Sequence, residues 1–249
     1  MIHTYEFADY RDKIAALPLR EKMNPWYERS ELVTNQFLLF QDGPLSAYYV
    51  PFHSMNPKAR IAIVGLTPGW TQMERAFRTA RVGLAEGVSG EALFRRISMA
   101  SSFAGTMRKN LTKWFDEIGL NTCLEISSCA ALFGSSNFLV HSMSAVSAAI
   151  FKDGKNYTGY SPSLLTLPKF QTFIAENFAK ELALLPEAVI VPLGKIAGEI
   201  VQFLHEENHV SLDRCLVGFP HPSGANGHGV HFFAEGRVRW REQLQGWFA

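Results

Sequence analysis

Cysteine is scarce in this chain: three residues of 249, Cys123, Cys129 and Cys215, with no C-x-x-C pair among them. That scarcity argues against a disulfide framework, a zinc site or an iron–sulfur cluster, and it fits a reducing, cytoplasmic setting. Charge of one sign is not in excess either, since 24 basic residues face 23 acidic ones for a formal net charge of +1. No bulk field draws such a chain to nucleic acid or to a membrane surface, so a nucleic-acid partner requires a local patch. No apolar run approaches the roughly 20 residues of a membrane span. The opening residues, Met1-Ile2-His3-Thr4-Tyr5-Glu6, lack the basic stretch and apolar block of a signal peptide. Internal repeats and linker-like segments are missing too. With 47% apolar residues, the sequence is expected to bury its core as one domain over 1–249.

What is present is punctuation. Short apolar runs end in glycine or proline and alternate with segments of helical period. Residues 37–40 and 47–50, separated by Asp42-Gly43-Pro44, read as an N-terminal strand pair. Ile61-Ala62-Ile63-Val64 reads as a buried central strand, as do residues 188–193 and 215–219; a weaker strand is predicted over 124–128. Helical spacing covers 7–17, 71–83, 90–99, 104–118, 169–185, 195–207 and 237–248, and a short helix is predicted over 143–151. Strands alternating with helices imply an α/β fold, a three-layer α/β/α arrangement about a mostly parallel sheet.

Three junctions carry the chemistry. The first, Gly65-Leu66-Thr67-Pro68-Gly69, follows the central strand; its glycines let backbone approach a ligand, and the next helix turns its N–H groups toward the bend. It is no P-loop, because the spacing and the lysine are missing. The second, Leu193-Gly194-Lys195, carries a strand into a helix through a glycine. The third is Phe219-Pro220-His221-Pro222-Ser223-Gly224. A histidine between two prolines cannot sit in a helix or a ladder interior, so His221 belongs to a rigid bend at a strand end, where open α/β sheets hold their ligands.

In this order, the Gly-x-x-Pro-Gly bend, the Leu-Gly-Lys junction and the His-Pro-Ser strand end resemble the uracil-DNA glycosylase superfamily, over about residues 61 to 228. The resemblance implies a central four-stranded parallel sheet with a pocket at the carboxyl ends of its strands, into which a base flips out of DNA. It casts His221 as the donor to the departing base and Thr67 as the residue that places the attacking water. Gly65, Leu66, Pro68 and Gly69 would face base and sugar. Trp70 or Phe77 would stack on the base, and Ser128 would read its edge. Ser223, Gly224 and Asn226 would meet the DNA backbone, single- or double-stranded. No metal or organic cofactor is called for, and a free nucleobase is a natural ligand.

The chain departs from the family where Thr67 replaces an aspartate or asparagine and where Ser128 replaces an asparagine. Threonine holds a water but is no general base. The loop after Ser223 has no bulky wedge, and three cysteines cannot supply the four that the iron–sulfur branch uses. A base- or nucleic-acid-binding module with weak chemistry is therefore the alternative reading. Arg75, Arg78, Arg81, Arg95, Arg96, Arg108, Lys109 and Lys113 give a local excess of positive charge, which reads either as a phosphate-facing patch for a DNA partner or as an ordinary solvated helix face.

Overall fold

The computed structural model describes residues 5–20, 26–52, 55–224 and 227–249. Seven strands are found among them: β1 (Leu38–Asp42), β2 (Leu45–Tyr48), β3 (Ile61–Gly65), β4 (Val140–Ser144), β5 (Ala149–Lys152), β6 (Lys155–Asn156) and β7 (Val189–Pro192). The longer helices are α1 (Phe7–Ala15), α2 (Trp70–Ala85), α3 (Gly90–Ser101), α4 (Thr106–Glu117), α5 (Lys195–Glu206) and α6 (Gly229–Phe248). The fold is α/β with two sheets, one antiparallel in the order β1-β2-β5-β6 and one parallel in the order β4-β3-β7. None of the described helices is long and apolar enough to cross a membrane. The chain divides into two compact units, each assembled from three stretches of sequence.

The first unit comprises Met1–Ser54, Thr67–Ser102 and Val146–Asn177 and holds the antiparallel sheet. Helix α2 begins where Gln72 reaches back to accept the Gly69 N–H at 3.1 Å, which satisfies an orphan donor of the first turn. Met73, Ala76, Phe77 and Ala80 then fall on one stripe and are fully buried. Their core is aromatic. Tyr10 of α1 stacks on Tyr49 at 3.8 Å between ring centroids, and Phe77 meets Phe37 edge-on at 4.7 Å.

The second unit comprises Met55–Leu66, Phe103–Ala145 and Phe178–Ala249 and holds the parallel sheet. β3 is its centre, buried along its whole length, and its continuous apolar run fits a strand covered on both faces. Phe219 is fully buried among Trp114, Phe115, Phe233 and Trp240, with ring centroids 4.8 to 6.1 Å away.

Four expectations are corrected. The parallel sheet has three strands, not four; residues 215–219 contribute one bridge, Cys215 to Ile190. The Val217 carbonyl accepts from Arg239 Nη2 at 2.9 Å and Trp240 Nε1 at 3.1 Å, and Gly218 turns to φ +79°, so the ladder cannot run on. The strand expected over 124–128 is a loop, because Glu125 sits at φ +57°, a left-handed conformation that a ladder does not accommodate. Its place beside β3 is taken by β4, Val140–Ser144. The helix expected over 143–151 is instead the end of β4 and the start of β5: pairing of the one with β3 and of the other with β2 overrides local propensity. The helix expected over 169–185 runs as Pro168–Phe173, a π turn at Ile174–Phe178 and Ala179–Ala183. The N-terminal strand pair is present as β1 and β2, half of the larger antiparallel sheet.

Candidate functional site

The carboxyl edge of the parallel sheet is closed by a row of backbone hydrogen bonds. Ala145 N–H donates to the Gly65 carbonyl at 2.9 Å, Leu193 N–H to Val64 at 2.8 Å, and Gly194 N–H to Phe219 at 2.8 Å. Ser144, Gly65, Gly194 and the 219–221 segment therefore finish side by side. This is the edge at which parallel α/β sheets bind ligands.

Gly194 and His221 are locked together. Gly194 has φ +84°, and a Cβ built on it would stand 2.9 Å from the Cβ of His221. Only glycine fits there, on conformational and on steric grounds. Two residues before the histidine, the caged ring of Phe219 fixes the chain, and the prolines on either side limit what remains. The Ser223 N–H donates to Nδ1 of His221 at 3.3 Å. A neutral imidazole that accepts at Nδ1 carries its proton on Nε2, so Nε2 is a donor. Burial holds the imidazole pKa below its ordinary value of 6.5, which keeps the ring neutral near pH 7.

Gly65 is backed by two side chains. A Cβ there would meet Phe103 Cε1 at 3.5 Å and Ser144 Oγ at 3.6 Å. Phe103 is buried and adopts φ +46°, an uncommon conformation for an aromatic residue. Neither Phe103 nor Ser144 was singled out from the sequence. Val140-His141-Ser142-Met143-Ser144 has no β-branched run to mark it as a strand, and the conformation of Phe103 leaves no sequence signal.

The remaining expected site residues divide between the two units. Leu66 ends the β3 side of the first bend, and Thr67 begins the other unit's stretch. The Thr67 hydroxyl donates to the Ala148 carbonyl and accepts from Ile150 N–H at 3.2 Å, which ties the bend to β5. Pro68 is buried, and Gly69 caps α2 beside Asn156. Trp70 is partly exposed; its backbone N–H donates to Asn156 Oδ1 at 3.1 Å, and the Arg29 guanidinium lies 5.3 Å from its ring. Phe77 is fully buried in the aromatic core of the first unit. Ser128 does not end a strand: it donates to Asp116 at 2.7 Å and caps the short helix Cys129–Phe133. In the His-Pro-Ser segment, Asn110 Nδ2 of α4 donates to the Pro222 carbonyl at 2.8 Å. Gly224 rests on Thr106, whose Cγ2 would lie 3.2 Å from a Cβ. Asn226 is outside the described residues.

The thiols are chemically quiet. Burial pushes Cys215 up to about 12 and raises Cys129 further, so neither offers a thiolate near neutrality. Among the described residues, no group of three or more His, Cys, Asp or Glu side chains is placed to hold a metal ion.

Fold and site together define an α/β protein whose parallel sheet presents a neutral, donor-bearing histidine at its carboxyl edge. Over 223 residues, 89% of this chain and 87% of its relative, the sequence is 35% identical to the uncharacterized protein YoxB of Bacillus subtilis (strain 168), and the chain belongs to the YoxB family. No family model matches the sequence. No solved structure matches it either.

Proposed function

We propose that this chain is a uracil-DNA glycosylase-like base-excision enzyme, hydrolysing the N-glycosidic bond of uracil or another deaminated base in DNA. The observation that carries the reading is His221: a neutral imidazole, protonated at Nε2 and clamped against Gly194 at the sheet edge. As a glycosidic bond breaks, negative charge gathers on the departing base, and a fixed neutral donor is worth most at that moment. In this reading Gly65 and Leu66 face the base. Ser144, at the end of β4, takes the edge-reading place expected of Ser128. The parallel unit is then the core of a three-layer α/β/α fold of the glycosylase type, with the 215–219 bridge as a reduced fourth strand.

A second reading is favoured by Thr67. Its hydroxyl proton is already given to the Ala148 carbonyl, and threonine is no general base in any case. A nucleobase-binding module with slow or no chemistry needs only the donor and the edge.

The test is abasic-site formation on single- and double-stranded oligonucleotides carrying one uracil. The wild-type protein should cleave the glycosidic bond, and His221→Ala should lower the rate by about 10²-fold or more, as expected for the loss of one transition-state donor. Equal rates for the two proteins would remove His221 from the mechanism. Binding without product selects the second reading.

A further inference from the structure

We infer that Asn110 is a positioning residue for His221, acting through the planar peptide that joins Pro222 to Ser223. The carbonyl and the N–H of a trans peptide unit share one plane and point in opposite directions. In this unit both ends are engaged. The Pro222 carbonyl accepts from Asn110 Nδ2 at 2.8 Å, and the Ser223 N–H donates to His221 Nδ1 at 3.3 Å. Whatever fixes the first bond therefore aims the second.

Few other torsions are left to aim it. The Pro222 ring fixes that residue's φ, so the peptide plane turns on its ψ alone, and a residue before proline is held extended. The Cβ of His221 is seated against Gly194. Asn110 itself stands on the second turn of α4, a twelve-residue helix whose Leu111, Trp114 and Phe115 are buried in the core. A rigid helix thus holds one end of the plane and the imidazole reads the other. The Ser223 N–H that selects the His221 tautomer is thus aimed from α4.

The purpose of this relay rests on the base-excision reading, which needs a donor at Nε2. The relay itself is read without substrate, so the two can fail separately. The experiment is 15N NMR of protein labelled at histidine and at backbone amides. In the unsubstituted protein, His221 should show an unprotonated Nδ1, a protonated Nε2 and a through-hydrogen-bond coupling between Ser223 N and Nδ1. Asn110→Asp keeps the shape but sets a carboxylate against the Pro222 carbonyl, and Asn110→Leu removes the donor without charge. In both, that coupling should vanish and the Nε2-protonated form should give way to a mixture of tautomers. Asn110→Gln, if its longer amide reaches the carbonyl, should restore the wild-type pattern. A wild-type spectrum lacking the coupling overturns the proposal, whether or not either variant folds. So does an unchanged tautomer in a folded Asn110→Leu protein.

Discussion

At the scale of single residues, the sheet edge depends on groups that tolerate no substitute. Gly194→Ala would place a methyl 2.9 Å from the His221 Cβ at a φ of +84°. The strain of the left-handed conformation and the clash together should cost about 1–3 kcal/mol, read as a lower urea midpoint at unchanged m-value. The imidazole must also move, so the base-excision activity proposed for the chain should fall with it. His221 makes a second, pH-dependent prediction. Its folded-state pKa is depressed by burial below 6.5, while the unfolded chain titrates at the ordinary value. As pH falls through that window the unfolded state binds the proton first, so stability rises with pH there and is lost on acidification. Above it both states are neutral and the contribution is flat. Urea unfolding at a series of pH values should show this slope in the wild-type protein, and His221→Gln should flatten it. The same slope in both proteins would assign the dependence to other groups.

At the scale of elements, two aromatic residues that look alike in the sequence have different duties. Phe77→Ala opens a hole beside Phe37 and Tyr49 and should destabilise by about 3–5 kcal/mol. Trp70→Ala, at a partly exposed helix start, should cost well under half as much. Calorimetry of the two variants separates them, and comparable losses would mean that Trp70 is a core residue too. The strand ends were legible because glycine and proline punctuate them. β3, β7 and the His221 bend stand where Ile61-Ala62-Ile63-Val64, Ala188–Leu193 and Pro220-His221-Pro222 place them. The segment from 124 to 151 was not legible. Its strands carry serine, histidine and alanine in place of a β-branched run, and they are strands because β3 and β2 pair with them. The sequence consequently points to Ser128 as the strand-end serine, where a left-handed Glu125 and the bond to Asp116 leave no strand to end. Asn110 escaped for another reason: a helical asparagine betrays nothing of a bond to residue 222.

For the molecule as a whole, charge is the quantity that decides how DNA would be met. The basic residues between 70 and 113 form an attractive patch in the sequence, yet the structure commits many of them internally. Arg78 pairs with Glu74 at 2.9 Å, Arg96 pairs with Glu86, and Lys113 lies 3.8 Å from Glu117. Arg81 donates to the Leu17 carbonyl at 2.6 Å, and Arg108 lies over Phe133. Near the C-terminus, Arg239 and Arg241 likewise donate to the backbone at Val217 and Glu117. A guanidinium held in this way keeps its charge but is shared with its partner, and displacing it toward a phosphate forfeits a bond already made. With a net charge of only +1, the chain has little long-range field to compensate. Any DNA affinity should therefore be weak and only mildly dependent on salt, with few counterions released on binding. Fluorescence anisotropy on a labelled uracil-bearing duplex should give a slope of log K against log salt no steeper than about −3, the release expected from three or so phosphates. A slope of about −6 or beyond would mean that these arginines leave their partners for phosphate.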